Sequence, residues 1–308
     1  MPIVSVILPT YNRAHLLDRA IRSVLNQTYH DFELIVVDDS TDNTNEVVRS
    51  FNDPRIRYIR KQKKRSAAAA RNIGIRAAKG EYLAFQDSDD EWLPEKLDMQ
   101  MRILSNASKE VGVIYTDMWR INDGKETYWH SPLNKPEDGI IYKRALDRVF
   151  CIGIQTALIR KTCLFKSGLF DESLHCLEDL DLFVRLSKYC YFHHINMPLV
   201  KYYATKNSVS SNGEAHILAS EYLLKKYEGE VDKEAIAAFQ FAIGNGLCQV
   251  GMLGKGKNLL FSAVRSNPLN VKYLIAALVS LFGEDVYLCA CKIKRMIYPI
   301  DDPKKNTK

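Results

Sequence analysis

No Cys-x-x-Cys pair occurs in this 308-residue chain, although it carries seven cysteines. Thiolate zinc sites and thioredoxin-like redox pairs are thereby disfavoured, and scattered reduced thiols are expected. Cys289 and Cys291 read as helix-packing residues. In the C-terminal part the longest uncharged apolar stretch, Tyr273 to Phe282, falls far short of the roughly 20 residues that span a bilayer. Met1 and Pro2 lead directly into an apolar run without the basic stretch and small-residue cleavage site of a secretory leader, so a cytoplasmic location is expected. No Gly-x-Gly-x-x-Gly follows that first run, and Gly-x-x-x-x-Gly-Lys-Ser/Thr is absent, which disfavours dinucleotide and P-loop phosphate cradles. The basic run Arg60-Lys61-Gln62-Lys63-Lys64-Arg65 has no interleaved aromatics, so it reads as a solvated loop and nucleic acid is not an expected partner.

The formal charge of +6 has a location. Between Lys255 and Lys308 there are ten Lys and Arg against four Asp and Glu, so the surplus belongs to the C-terminal tail. A hydrophobic content of 46% is enough for one large core or two smaller ones.

Apolar, β-branched runs at Ile3–Leu8 and Phe32–Val37 flank a helical pattern of Ala14, Leu17, Ala20, Ile21, Val24 and Leu25. A helix over Thr44–Phe51, a strand over Arg55–Ile59, a helix over Ala67–Ala78 and a strand over Glu81–Phe85 continue the alternation. This predicts an α/β fold with a mostly parallel sheet covered by helices on both faces. Ligands of such sheets gather at the carboxyl ends of the strands. Those ends here carry Thr10, Tyr11, Asn12 and Arg13, then Asp38, Asp39 and Ser40, then Asp87-Ser88-Asp89-Asp90. Further strands are expected at Val113–Met118 and Thr156–Arg160, a loop near Asn122–Lys125, and a helix over Leu177–Leu186. After Ser211 the composition turns helical, with breaks at Gly229 and Gly254–Gly256. Two domains are expected, 1–212 and a smaller all-helical 213–308.

Three carboxylates within four residues at the end of a strand either stay solvated or share a hard divalent cation. Such an ion takes oxygen ligands and keeps positions open for substrate phosphates. An acidic turn capping the next helix fits the same residues. A second cluster, Glu178-Asp179-Leu180-Asp181, reads either as first-turn acids favouring a helix dipole or as catalytic carboxylates. Trp92, beside the first cluster, could stack on a sugar or pack in the core. His193 and His194 follow a strand-like Cys190-Tyr191-Phe192 and read as packing and surface residues rather than ligands.

Taken together, the segments Val4-Ser5-Val6-Ile7-Leu8-Pro9-Thr10-Tyr11-Asn12-Arg13, Leu25-Asn26-Gln27-Thr28, Asp31 to Thr44, Ala70-Arg71-Asn72-Ile73-Gly74, Gly80-Glu81-Tyr82 and Asp87 to Asp90 resemble family 2 glycosyltransferases of the GT-A fold, a Rossmann-like mixed sheet. The likeness runs to about residue 210. It implies a metal-dependent, inverting transferase that moves a sugar from a nucleoside-diphosphate donor, UDP-linked in the first instance, to a hydroxyl of a glycan or lipid-linked glycan. Pro9, Thr10, Tyr11, Arg13, Asp39, Arg71, Asp87 and Ser88 would bind the donor. Asp89 and Asp90 would hold Mn²⁺ or Mg²⁺. Asp179 would be the catalytic base, with Glu178 and Trp92 on the acceptor side.

Two departures stand out. Many relatives carry Tyr-Arg-x-His-x-x-Ser-x-Ser where this chain has Tyr202-Tyr203-Ala204-Thr205-Lys206-Asn207-Ser208-Val209-Ser210, which places a histidine contact in doubt and offers Lys206 as a charge. The Gln-x-x-Arg-Trp element of processive members is also missing, so transfer of one or a few sugars is implied. A non-catalytic nucleotide-sugar-binding or membrane-docking module and a nucleotidyltransferase are the competing readings. In the tail, Gly244, Leu247, Gly256, Leu260, Ala263 and Pro268 resemble one tetratricopeptide unit, expected as a helical hairpin on the acceptor side or at a homodimer contact. The basic stretch Val271–Tyr298 could instead lie peripherally on an anionic inner membrane face.

Overall fold

A computed structural model describes residues 2–61, 66–129, 152–204, 213–230 and 232–297. They fall into two compact units, one holding the described residues up to 204 and the other those from 213 onward.

The first unit follows the expected alternation: β1 (Val4–Thr10), α1 (Ala14–Leu25), β2 (Phe32–Asp38), α2 (Thr44–Ser50), β3 (Ile56–Arg60), α3 (Ala67–Ala77) and β4 (Tyr82–Phe85). It continues through β5 (Glu91–Trp92), α4 (Lys96–Asn106), β6 (Val111–Asn122), β7 (Lys125–Trp129), β8 (Leu158–Arg160), α5 (Lys161–Ser167), α6 (Glu178–Leu186) and β9 (Tyr191–Tyr203). Among the described residues these strands form one sheet in the order β3-β2-β1-β4-β8-β6-β9-β5, with β7 on β6. Strands β1 to β4 run parallel, β8 lies antiparallel between β4 and β6, and β9 runs parallel to β6. The expected mixed, mostly parallel sheet is therefore present.

Strand alternation sets the two faces. Val4, Val6 and Leu8 pack with Leu17, Ala20, Ile21 and Val24 of α1. Ile7 points the other way, where a Cβ on Gly74 of α3 would lie 2.5 Å from its Cγ2. Gly80 is as tightly constrained, since a Cβ there would lie 2.6 Å from the Ser5 backbone nitrogen. These two motif glycines thus let α3 and the turn before β4 pack closely on β1. Each fully buried Val, Leu or Ile in these layers contributes about 1.5–3 kcal/mol.

Helix α4, strand β9 beyond its strand-like start at Tyr191-Phe192, and the short strands β5 and β7 are not evident in the sequence pattern. In α4 the buried positions include Lys96 and Gln100, which conceals the apolar stripe. Lys96 Nζ donates to Gln100 Oε1 at 2.9 Å and lies 3.9 Å from the centre of the Trp92 ring. In β9 the polar residues and Pro198 break the run, and its pairing with β6 carries register shifts.

The second unit holds α7 (Gly213–Lys226), α8 (Lys233–Gln249), α9 (Leu253–Ser266), α10 (Val271–Val279) and α11 (Glu284–Ile297). The break expected at Gly254–Gly256 lies instead at Gly251, whose φ of 85° is left-handed, whereas Gly254 and Gly256 fall inside α9. Gly256 is there for close packing of α9 on α8: a Cβ would lie 2.4 Å from Cys248 Sγ and 2.7 Å from the Gly244 carbonyl. Gly256→Ala therefore destabilises the helical unit by about 1–3 kcal/mol despite better helix propensity. Thermal unfolding of the two proteins measures this, and an unchanged or higher Tm would contradict it. Cys291 packs in this core, as expected, but Cys289 is exposed, on the outer side of α11. No described helix is long and apolar enough to cross a membrane.

Candidate active site

Three loops converge at the carboxyl edge of the sheet. The turn after β1 is locked to the turn after β2: Asn12 N donates to Ser40 Oγ at 2.8 Å, and Thr41 N donates to Asn12 Oδ1 at 2.8 Å. Asn12 takes a left-handed φ of 52°, which asparagine tolerates. Asp38 is a turn-forming residue. Its Oδ1 accepts from Ser40 N at 2.7 Å and its Oδ2 accepts from Arg60 at 2.9 Å. Asp39 is buried beside Thr10, its amide donating to the Thr10 carbonyl. The Thr10 hydroxyl is buried without a hydrogen-bond partner among the described residues, as a ligand-facing group would be. Pro9 is half-buried, Ser88 is buried and Tyr11 is exposed, its ring open to solvent rather than in the core.

The carboxylate turn follows β4. Asp89 is ion-paired with Arg13, and its carbonyl accepts from Arg19. Asp90 is fully buried: Oδ1 accepts from Tyr203 N at 3.0 Å, while Oδ2 has no hydrogen-bond partner among the described residues. Loss of water raises the pKa of both groups, and Asp87 raises it further for each. Among the described residues no cluster of three or more His, Cys, Asp or Glu forms a complete metal cage. The turn nevertheless fits a hard divalent ion. It offers the buried Asp90 Oδ2, which has no hydrogen-bond partner among the described residues, and ions of this type need only one or two carboxylates when substrate phosphates complete the shell.

The second carboxylate cluster opens α6. Leu177 precedes it with a left-handed φ of 60°, an uncommon conformation for leucine, so the turn is held by its surroundings. Arg71 joins the two clusters. From the second turn of α3, whose Ser66 cap accepts from Ala69 N, its guanidinium donates to Asp87 Oδ1 at 2.8 Å and to Glu178 Oε1 at 2.7 Å. Asn72, next in sequence, holds the approach to α6 through Phe170 N, Phe170 O and Glu172. Asp179 is half-buried, and its Oδ1 accepts from Leu180 N at 2.8 Å. Loss of water and the neighbouring Glu178 charge push its pKa up to about 7, against the lowering effect of Arg71. Asp181 is structural: it is buried and paired with Arg185 at 2.8 Å.

The chain carries this geometry on a sequence whose residues 5–165 match the family model described as "Glycosyl transferase family 2". The chain belongs to that family. It is a glycosyltransferase by this membership. Among curated relatives, the Escherichia coli UDP-Glc:α-D-GlcNAc-diphosphoundecaprenol β-1,3-glucosyltransferase WfgD is 33% identical over 68% of this chain and 80% of its own length. Other relatives at 34–35% identity are matched over only 26–66% of their length. Residues 1–349 of S. aureus TarS in complex with UDP-GlcNAc superimpose with a TM-score of 0.65 at 19% identity, over 93% of this chain and 89% of that one. A Pyrobaculum calidifontis mannosyltransferase with GDP-Man and Mn²⁺ gives 0.58 at 20% identity, over 96% and 87%. At these identities the structural likeness establishes the GT-A fold.

Within this family 2 site, two sequence expectations change. Arg71 is buried with both ends of its guanidinium engaged, so it clamps two carboxylate clusters and does not present itself to a donor. Trp92 does not offer a ring face to an acceptor: it is 2% exposed, donates to the Gln155 carbonyl at 3.1 Å and has Lys96 over its ring. His194 is a packing residue, buried against Asp117 at 2.8 Å and stacked on Tyr115. Residues 205–210, with Thr205 and Lys206, lie outside the described residues, as do 62–65 of the basic run.

Sequence reasoning missed Arg19, Arg60 and Tyr203. Arg19 stacks 3.5 Å from the centre of the Tyr203 ring while holding the Asp89 carbonyl, and Tyr203 Oη donates to Glu91 at 2.9 Å. Arg60 braces the turn after β2 through Asp38 and the Ser40 carbonyl. Arg19 carries no local motif, Arg60 opens the basic run read as a solvated loop, and Tyr203 lies in the departing Tyr202–Ser210 segment; the contacts that give them these roles join segments far apart in sequence.

Proposed function

We propose that this protein is an inverting, non-processive glycosyltransferase that moves a sugar from a nucleoside-diphosphate donor, most simply a UDP-sugar, to a hydroxyl of a glycan or lipid-linked glycan. The observation that carries the reading is the Arg71 bridge, which draws Glu178 and Asp179 to the Asp87–Asp90 turn although they are distant in sequence. Thr10, Tyr11, Arg13 and Asp39 receive the nucleotide, with Pro9 and Ser88 shaping the pocket and Asp87 beside the ribose. Asp89 and Asp90 would hold Mn²⁺ or Mg²⁺, which when bound offsets charge on the departing diphosphate. Asp179 takes the proton from the acceptor hydroxyl as its oxygen bonds to the anomeric carbon and the bond to the nucleoside diphosphate breaks on the opposite face. Glu178, fixed by Arg71, orients the acceptor. UDP-GlcNAc and GDP-Man in the solved neighbours support a nucleotide sugar as donor, and the diphosphoundecaprenol acceptor of the WfgD relative supports a lipid-linked one. The site then works in the cytoplasm, at or near the inner membrane face.

Nucleoside-diphosphate release from a panel of nucleotide sugars, with Mn²⁺, Mg²⁺ or a chelator, tests this. One donor should dominate, release should need the ion, and Asp89→Ala should remove ion-dependent turnover. Pyrophosphate as product, or full activity in Asp89→Ala, would refute it. A base with a pKa of about 7 also predicts the pH dependence: kcat/KM falls as pH drops below about 7, approaching tenfold per unit, because the protonated carboxyl cannot accept the acceptor proton. A flat profile between pH 5 and pH 8 would contradict Asp179 as base.

A further inference from the structure

Helix α10 buries only one narrow face. Tyr273 and Ala277 point into the helical unit, where Tyr273 joins Ala237 and Ala263. On the other side Val271, Leu274, Ile275 and Leu278 are exposed at i, i+3, i+4 and i+7, the spacing of a continuous helical stripe. The stripe runs on into the turn at Ser280–Phe282, where Leu281 is 54% and Phe282 73% exposed. Six large apolar side chains in twelve residues form a patch of a kind that isolated soluble surfaces rarely carry.

We infer that this stripe lies on the surface of an anionic lipid bilayer, with α10 in the interfacial plane and its apolar side chains among the acyl chains. Charge favours that occupant. Lys272 is the one charged residue of α10 and is exposed, as is Lys292 on α11, and as a sequence the stretch from Lys255 onward is basic, with ten Lys and Arg against four Asp and Glu. Of these acids, Glu284 and Asp285 sit in the first turn of α11, where the helix dipole favours them. Basic residues near the interface are attracted to anionic headgroups, whereas a second copy of the chain would bring two such basic surfaces together. A helix of this kind binds in the headgroup region without spanning the membrane, consistent with its nine residues. The inference goes beyond the proposed chemistry.

Co-sedimentation of the full chain with vesicles of phosphatidylcholine, with and without phosphatidylglycerol, tests it in the absence of donor and acceptor. Binding should be strong only with phosphatidylglycerol, weaken with added salt, and fall at least tenfold in Ile275→Glu and in Phe282→Glu, tested as separate proteins. Lys272→Glu should weaken it several-fold. Both apolar positions are exposed, so the variants should keep wild-type circular dichroism and wild-type slow hydrolysis of the donor in solution, which reads the catalytic site separately. No binding by the intact chain, or binding equal in the variants, would overturn the inference. A dimer in analytical ultracentrifugation that Phe282→Glu dissociates would overturn it too, by assigning the stripe to a second copy.

Discussion

Asp179→Asn reduces kcat by roughly 10²–10⁴-fold, the usual contribution of a positioned general base, while the donor still binds. The amide keeps the volume of the carboxyl and its oxygen can still accept from Leu180 N, so the start of α6 stays in place. The proposed nucleotide contacts, Thr10, Tyr11, Arg13 and Asp39, are on other loops. The same substitution should make the fold more stable at pH 8. The unfolded carboxyl titrates near 3.8 and the folded one at about 7, so the folded chain holds its proton longer. Stability is therefore full at low pH and falls as pH rises between those values. Asn cannot ionise and avoids that loss, by about 1–2 kcal/mol once residual solvent screening is allowed for, which corresponds to a Tm several degrees higher. Activity lost together with stability gained would mark a strained catalytic group. Equal Tm in the two proteins at pH 8 would contradict the raised pKa.

Arg71→Met has the opposite effect on stability and the same effect on activity. It leaves Asp87 and Glu178 facing each other without a cation, and removing one member of a buried ionic group costs about 3–5 kcal/mol. The thermal midpoint should fall by roughly 10 °C, and turnover should disappear because Glu178 and Asp179 lose their tie to the donor loop. Arg71→Lys separates the two causes. A lysine restores one charge but not the fork that reaches both carboxylates, so stability should return in part. Because Arg71 lowers the Asp179 pKa, the acid limb of the pH profile should also move to higher pH. An Arg71→Lys enzyme with wild-type profile and Tm would show that the bridge positions nothing.

Much of this was legible in the residues themselves. The apolar runs and the alternating helices led to the parallel half of the sheet because those strands are buried on both faces and read as continuous β-branched segments. The loops of the candidate site were legible because carboxylates and small polar residues follow those strands directly. Helix α4 was not, since Lys96 and Gln100 occupy buried positions and satisfy each other there. Of β9 only the start at Tyr191-Phe192 was legible, because its polar and proline-containing continuation is held by partners far away in the chain. The same physics limits the reading of the site. Asp89 and Asp179 stand in recognisable clusters, but Arg71 as a clamp, Arg19 beneath Asp89 and Trp92 as a core residue follow only from contacts between distant segments. A motif names a residue type at a place, and burial decides whether that residue meets a ligand or holds its neighbours.

The anomeric configuration of the transferred sugar tests direct displacement by an Asp179-activated hydroxyl most directly. Proton NMR of the product formed from an α-linked nucleotide sugar should show a β linkage, because the acceptor attacks opposite the departing diphosphate. An α linkage would require a different mechanism and would contradict the role of Asp179.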